Sequence, residues 1–236
     1  MKKILIFSFL FLILFNQELF SQKEKEIKGK ASVGIFSGIS LNTNSFEFDD
    51  KNNFLDTSYS NDTKSSFNLG MYVIYDFTRN FGLKLQGQYT GKGGISTVNV
   101  LYGTSLTPIE RSYKSSISYL QFSLLPQVNF PFSELTDESK AFLNAGGYLS
   151  FMLSAWEYMD SETLYQSLNL DKDISNSLSG TDAGFIFGGG LIYKGFLIDI
   201  RYDLGVTDIV DDPDLKNILS IKNSSINFSI GWTGGF

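Results

Sequence analysis

The 236-residue chain contains no cysteine and no histidine, and it has only four prolines. Without cysteine it has no disulfide, no thiolate nucleophile and no thiolate ligand for a metal. Without histidine it lacks the base of Ser-His-Asp and Cys-His sites and the commonest transition-metal ligand. A formal charge of −6 provides no general basic field for nucleic acid. We therefore expect no catalysis, no cofactor, no metal and no nucleic-acid partner.

The first 21 residues have the pattern of a secretory signal peptide. Lys2 and Lys3 precede an apolar run from Ile4 to Phe15, and Ser21 is a small residue before the expected cleavage point. A membrane anchor is the alternative, but a spanning helix needs about 20 apolar residues. The sequence predicts a signal peptide at 1–21 and one domain at 22–236.

Eight segments of the remaining chain alternate apolar with polar or small residues, which is the period of a β-strand. They lie at 31–41, 67–77, 81–90, 119–130, 140–153, 182–193, 196–206 and 225–236. Long connections (42–65, 92–115, 154–181, 207–222) alternate with short ones (78–80, 131–139, 194–195). Outer-membrane barrels have short periplasmic turns and long extracellular loops, so this asymmetry places the short connections in the periplasm. A short helix is predicted at 161–170, within a loop.

The two faces of these strands differ in the way that lipid requires. Lys84, Asp199, Arg201 and Asp203 lie on the polar face, together with Leu197, while the other face carries almost no charge. Aromatic residues of the apolar face collect where strands meet the short turns, as in a membrane-boundary belt; they are Phe77, Phe81, Phe130, Tyr193, Phe196 and Phe236. A soluble lipocalin-like barrel, with its apolar face inward, is the alternative. The pattern favours an all-β, eight-stranded antiparallel up-and-down transmembrane β-barrel in the outer membrane, surrounded by lipid.

The charged residues of the polar face are predicted to meet inside the barrel. Lys84 and Asp199 are each the fourth residue of their strand, counted from Phe81 and Phe196, and these strands are opposite one another in an eight-stranded barrel. An interior of this size is just wide enough for side chains to fill it. A charge buried there needs a partner. We expect Lys84 and Arg201 to pair with Asp199 and Asp203 and close the lumen; individually solvated charges in a water-filled lumen are the alternative.

Five groups of residues, in order along the chain, carry a family resemblance. They are QGQYTGKG at 86–93, YLQFSLL at 119–125, AGGY at 145–148, DAG at 182–184 with GGG at 188–190, and RYDLGVTDI at 201–209. The chain resembles the PorT-like outer-membrane β-barrel family. The resemblance implies an outer-membrane location and, from the family's namesake, a part in type IX protein secretion. Ser123 replaces a proline that is frequent in the family, and Pro126 instead predicts a local bulge.

The C-terminal strand resembles the signal read by the barrel-assembly machinery, because Phe228, Trp232 and Phe236 share its apolar face.

Other features have plain structural interpretations. The glycine-rich segment 184–190 lacks the Lys-Ser or Lys-Thr of a phosphate loop. The acidic residues Asp49, Asp50 and 211–214 are expected to form turns, with calcium binding as the alternative. The loop aromatics Phe54, Trp156, Tyr158 and Tyr165 either contact a partner or pack over the barrel mouth.

Two functions remain compatible with the sequence. The first is a small outer-membrane barrel with a structural or interaction role, which contacts a protein partner through its long external loops. The second is an accessory component of protein secretion, as the family resemblance implies. A secreted soluble binder of the lipocalin type has little support from the distribution of charges.

Overall fold

The computed structural model describes residues 29–48, 59–101, 108–132, 139–160, 162–163, 166–167, 170–212 and 219–235. The strands are β1 (Lys30–Phe48), β2 (Tyr59–Asp62), β3 (Lys64–Asp76), β4 (Phe81–Lys92), β5 (Ile95–Leu101), β6 (Pro108–Pro131), β7 (Ser139–Asp160), β8 (Glu162–Thr163), β9 (Gln166–Ser167), β10 (Leu170–Asp173), β11 (Thr181–Tyr193), β12 (Phe196–Gly205) and β13 (Leu219–Gly235). One 3-10 turn covers Ser175–Ser177. Within these ranges no helix is long and apolar enough to cross a membrane. The predicted signal peptide and Phe236 lie outside the described residues.

Eight of the strands form a closed antiparallel barrel. In order around the barrel they are β1, β3, β4, β6, β7, β11, β12 and β13. Each of these strands pairs with the next one in that order. Pairing of β13 with β1, from Ser32↔Gly235 to Phe48↔Leu219, closes the ring. The predicted eight-stranded up-and-down barrel is therefore confirmed. Each predicted segment coincides with one barrel strand, except that Phe77 and Val206 lie just beyond β3 and β12 and Phe236 lies outside the described residues.

The orientation of the side chains is also the predicted one. Along β12 exposure alternates at every residue, with Phe196, Ile198 and Ile200 exposed and Leu197 and Asp199 buried. Apolar side chains of the other barrel strands point outward in the same way. An apolar exterior around a charged interior is the arrangement of a membrane barrel and the inverse of a lipocalin.

The barrel ends differ in the length of their connections. At the end predicted to be periplasmic, β11 and β12 are joined by Lys194 and Gly195, both with positive φ (49° and 87°). Positive φ at both central residues is typical of a tight two-residue hairpin turn, and glycine adopts it without strain. Residues 77–80 form the turn between β3 and β4, where Phe77 and Thr78 donate to the carbonyl of Phe81.

At the opposite end, which is predicted to be extracellular and is named so below, the sheet continues beyond the barrel. β5 pairs with the outer part of β6, β2 adds to β5, and β10 adds to the outer part of β7. Much of the predicted loop sequence is thus strand, because continued pairing supplies partners for backbone groups. The predicted helix at 161–170 is wrong: β8 and β9 pair with each other there, and β10 begins at Leu170.

A bulge interrupts the pairing of β6 with β7, but not at Pro126. The register is the same before and after Pro126, whereas it shifts between Ser118 and Tyr119. Ser118 faces Ser154 and Tyr119 faces Met152, so Leu153 is the extra residue on β7. The inserted residue changes which residues point outward. Beyond it Ala155 is buried, while Trp156 and Tyr158 are exposed.

Candidate functional site in the barrel lumen

The periplasmic end of the lumen is filled by an apolar cluster, here called the floor. Its members are Phe36, Tyr72, Ile74, Phe142, Ile192 and Leu197, all buried. Tyr72 bonds through its hydroxyl to the Thr233 hydroxyl, which satisfies the one polar group of the cluster. The alternation of residues along the strand places Leu197 on the same face as charged residues. In the structure it packs in this floor. Such a cluster excludes water from the section it fills.

Above the floor lies a buried ion pair. Lys84 Nζ is 2.8 Å from Asp199 Oδ2, and both side chains are almost fully inaccessible. Arg201 Nε lies 3.8 Å from the same carboxylate oxygen. The two cations rest on the rings of the floor, with Lys84 Nζ 4.8 Å from the Tyr72 centroid and Arg201 Cζ 5.4 Å from that of Phe36. The structure therefore brings together three of the four residues singled out from the sequence.

The fourth residue, Asp203, has a different partner. Its Oδ2 accepts a hydrogen bond from Gln121 Nε2 at 3.0 Å, and no ion pair to it is present within the described ranges. Arg201 Nη2 donates to Gln88 Oε1 at 3.0 Å. Arg201 Nη1, a donor, and Asp203 Oδ1, an acceptor, are both buried and have no hydrogen-bond partner among the described protein atoms. This middle section is therefore polar, in contrast to the floor.

A second buried ion pair was not predicted from the sequence. Lys92 Nζ lies 2.8 Å from Asp182 Oδ2, and neither side chain is exposed. The Lys92 ammonium also lies 4.1 Å from the ring centroid of Tyr148 and 5.4 Å from that of Tyr119. Asp182 accepts further hydrogen bonds from Thr207 Oγ1 and, more weakly, from Asn223 Nδ2 and the Tyr148 hydroxyl. Lys92 and Lys84 are an even number of residues apart on β4, so both point to the same face of the strand. That spacing is the signal that marks Lys92 as a lumen residue.

A third pair lies at the periplasmic mouth, below the floor. Lys140 Nζ is 2.7 Å from Asp76 Oδ2, and Asn129 Nδ2 donates to Asp76 Oδ1 at 2.7 Å. These side chains are partly exposed, with relative accessibilities of 10% for Lys140 and 18% for Asp76. The sequence places Asp76 on the polar face but does not identify its partner.

The extracellular end of the lumen is covered by a second apolar cluster, here called the cap. Ile117, Tyr119, Ala155 and Ile209 form its buried part, and Met152, Ile174, Leu178 and Ile221 pack against it. A β-bridge between Leu178 and Val210 joins the connection that precedes β11 to the one that follows β12. The Lys92–Asp182 pair thus contacts the cap through Tyr119, while the Lys84–Asp199 pair lies on the floor.

One lysine at the outer mouth has an altered acidity. Lys64 is the first residue of β3 and lies beyond the outward-facing Phe67, at the extracellular end of that strand. Its Nζ donates a hydrogen bond to the carbonyl of Ser115 at 2.8 Å. Burial, with a smaller contribution from nearby Lys114, lowers the pKa of Lys64 from 10.5 to about 8. Desolvation acts in this direction because it penalises the charged form of an amine. The mouth therefore carries a cation that titrates closer to neutral pH than a solvated lysine.

The residues assigned to the periplasmic belt and the assembly signal lie on the outer surface. Phe77, Phe81, Phe130, Tyr193 and Phe196 have 38–59% of their surface exposed, next to the short connections. Phe228 and Trp232 also point outward, and Phe236 lies outside the described residues. Their roles at the membrane boundary and in assembly stay predictions.

The other features noted in the sequence occupy ordinary structural positions. The glycine-rich segment 184–190 lies within β11 and does not lead into a helix. Among the residues that the structure describes, no three acidic side chains are grouped as a metal site would need. Trp156 and Tyr158 are exposed on the extracellular extension of β7. Asp49, Asp50, Phe54, Tyr165 and 213–214 lie outside the described residues.

Comparison with known proteins gives both structural and family matches. OprG from Pseudomonas aeruginosa is 15% identical over 86% of this chain and 96% of its own, with a TM-score of 0.44. Ail of Yersinia pestis is 14% identical over 88% of this chain and 100% of its own, with a TM-score of 0.38. Neisserial surface protein A is 12% identical over 86% of this chain and 97% of its own, with a TM-score of 0.36. No curated protein sequence matches the chain.

The family match covers most of the sequence. The model of the outer membrane protein beta-barrel domain matches residues 20–211, which include seven of the eight barrel strands. This match agrees with the apolar exterior and the charged interior of the barrel. The chain therefore belongs to the outer membrane protein beta-barrel domain family and is an integral protein of the outer membrane.

Proposed function

We propose that this protein is a structural or interaction barrel of the outer membrane that neither conducts ions nor catalyses a reaction. One observation carries this proposal: the lumen is occupied along its length by the floor, two buried ion pairs and the cap. A charge that crosses this interior would have to separate paired ions and displace packed apolar side chains. Both processes are costly in a space of low dielectric constant.

The part of the protein that is available to a partner is the extracellular extension. There β2, β5 and β10 widen the sheet beyond the barrel, and Trp156 and Tyr158 are exposed on β7. Aromatic side chains are enriched at protein interfaces relative to the rest of the surface. An interaction role through this region needs no passage through the barrel.

We expect the purified monomer to be electrically silent in planar lipid bilayers. The reason is that the floor and the cap close both ends of the polar middle section. Single-channel recording at several voltages checks this, with a porin of known conductance as the positive control. Steady, ion-selective openings from the monomer would mean that the lumen is open and that the proposed role is wrong.

A second candidate is an accessory role in protein secretion. Its support is the resemblance of the chain, over about residues 30–236, to the PorT-like family, whose namesake takes part in type IX secretion. Such a role uses the periplasmic turns or the extracellular sheet as a docking surface rather than the closed lumen. If it is correct, deletion of the gene reduces the amount of secreted protein, and expression of the intact chain restores it. Unchanged secretion in the deletion strain would contradict the secretion role, and only the structural or interaction role would remain.

A further inference from the structure

A small polar region interrupts the apolar packing of the lumen on one side of the barrel, and it is here called the recess. Its centre is Asn144 of β7, which faces Gln127 on β6 and Gly188 on β11. Phe142 of the floor is the preceding inward residue of β7. On the other side of Asn144 lies a separate apolar cluster, formed by Leu125, Tyr148 and Ile186. The recess is therefore enclosed between two apolar layers.

The polar atoms of the recess lack partners. Neither Nδ2 nor Oδ1 of Asn144 has a hydrogen-bond partner among the described protein atoms. Gln127 Nε2 donates to Asn129 Oδ1 at 2.6 Å, while Gln127 Oε1 has no partner in the same part of the chain. Asn144 and Gln127 are both buried, so the bulk solvent does not reach them. Buried polar groups of native proteins are nearly always bonded to protein or to an ordered water molecule.

Gly188 connects the recess with the Arg201 side chain. It pairs with Asn144 on one side and with Arg201 on the other. A Cβ atom at Gly188 would lie 2.6 Å from Arg201 Cγ and 3.1 Å from Asn144 Oδ1. These two side chains thus approach each other over a bare backbone.

The guanidinium of Arg201 also has more donors than the described residues occupy. A guanidinium carries five N–H donors. Arg201 Nη2 bonds to Gln88, whereas Nη1 and Nε have no hydrogen-bond partner among the described protein atoms. Asp203, two residues further along the same face of β12, has an Oδ1 in the same condition. Donors and acceptors without partners therefore occur together around Arg201.

This mixture indicates a neutral occupant. An ion would satisfy only the donors or only the acceptors, whereas a water molecule both donates and accepts. The charges around the recess are already balanced, because Lys84 and Arg201 offset Asp199 and Asp203. A buried water molecule typically makes about three hydrogen bonds to such groups.

We propose that the recess and the adjoining middle section bind a cluster of ordered water molecules around the Arg201 guanidinium. One water bridges Asn144 to Arg201, and another bridges Arg201 Nη1 to Asp203 Oδ1. These waters supply the acceptors that the guanidinium needs in the lumen. They are enclosed between the floor and the cap, so the site differs from a continuous, conducting column of water.

A high-resolution crystal structure of the full chain tests the proposal directly. We expect density for water within hydrogen-bond distance of Asn144 and between Arg201 and Asp203. Side chains that satisfy one another without water would overturn the proposal. Crystals soaked in bromide separate water from an anion, since an anomalous peak beside Arg201 would mean that the ligand is charged and would also overturn it.

Stability of the Asn144→Leu variant provides an independent test, because leucine has nearly the shape of asparagine. If the recess holds water, the variant leaves that water without partners. The equilibrium constant of unfolding should then rise about tenfold, equivalent to about 1.4 kcal/mol. If the recess is dry, the variant removes an amide without partners and the protein becomes more stable. Urea unfolding in lipid vesicles measures the sign, and an unchanged or lower constant contradicts the bound water.

Asn68→Leu is the matched control. The Asn68 amide is equally buried in the lumen, but it donates to Ser40 at 2.9 Å and accepts from Ser229 at 3.4 Å. Its loss should destabilise the barrel whether or not the recess is hydrated, which shows that the assay detects a bonded amide. Heat-modifiable migration in gel electrophoresis establishes that each variant is folded, and the wild-type crystal structure decides the proposal if a variant is not.

Discussion

Replacement of Lys92 by methionine is expected to lower the free energy of unfolding by about 3–5 kcal/mol, because it leaves a buried carboxylate without its cation. Asp182 is fully buried, and Lys92 is the one cation paired with it among the described residues. Hydrogen bonds from Thr207 and Asn223 remain in the variant but do not neutralise the charge. Equilibrium unfolding by urea in lipid vesicles measures the difference.

Two further variants control for the loss of packing in Lys92→Met. The double variant Lys92→Met with Asp182→Asn removes both charges, so it should recover most of the lost stability. Lys84→Met should cost less than Lys92→Met, because Arg201 remains 3.8 Å from Asp199 and supplies a second cation. A double variant as unstable as Lys92→Met would show that the side-chain volume of lysine, rather than its charge, stabilises this part of the lumen.

The second large effect concerns the lipid-facing side. Ile200 is 50% exposed on the outer face of β12, four residues beyond the belt residue Phe196. At about 3.3 Å per residue and a tilt of about 40°, it lies about 10 Å above the belt, near the middle of the ~25 Å apolar band. Ile200→Arg should therefore cost about 2–4 kcal/mol, the penalty for arginine at the midplane.

The depth dependence of this penalty supplies the control. Val206 is 48% exposed and lies ten residues beyond Phe196, which places it about 25 Å above the belt, at the far boundary. Val206→Arg should cost no more than about 1 kcal/mol, since water is within reach there. Unfolding in lipid vesicles compares the two variants. Equal costs at both positions would contradict the placement of the membrane.

The alternation of residue types determines the barrel strands without any structure. In β12, for example, Phe196, Ile198 and Ile200 alternate with Leu197, Asp199 and Arg201, and only the period of a strand separates them so completely. Because one face carries the charges and the other the aliphatic residues, the sequence also specifies which face meets lipid. The closed barrel, its strand order and its outward belt follow from these local patterns.

Parity assigns a residue to a face but says nothing about its height or its neighbours across the lumen. For that reason Leu197, which shares its face with Asp199, was expected among charges and lies in the apolar floor. The bulge at Leu153 likewise changes which side chains of β7 point outward, because one inserted residue reverses the face of every residue after it. Trp156 and Tyr158 are the outward-facing residues beyond it. The extracellular strands depend on pairing between distant segments, and their sequences alone did not separate them from loops.

What the sequence by itself determined is therefore the class of the protein, its strands and the direction in which each side chain points. Only the tertiary structure decided which charges meet, since the pair Lys92–Asp182 joins residues 90 positions apart on strands that are not neighbours. The physical reason is that contacts across and around a barrel depend on strand tilt and register, which arise when the sheet closes and are not encoded in any single strand.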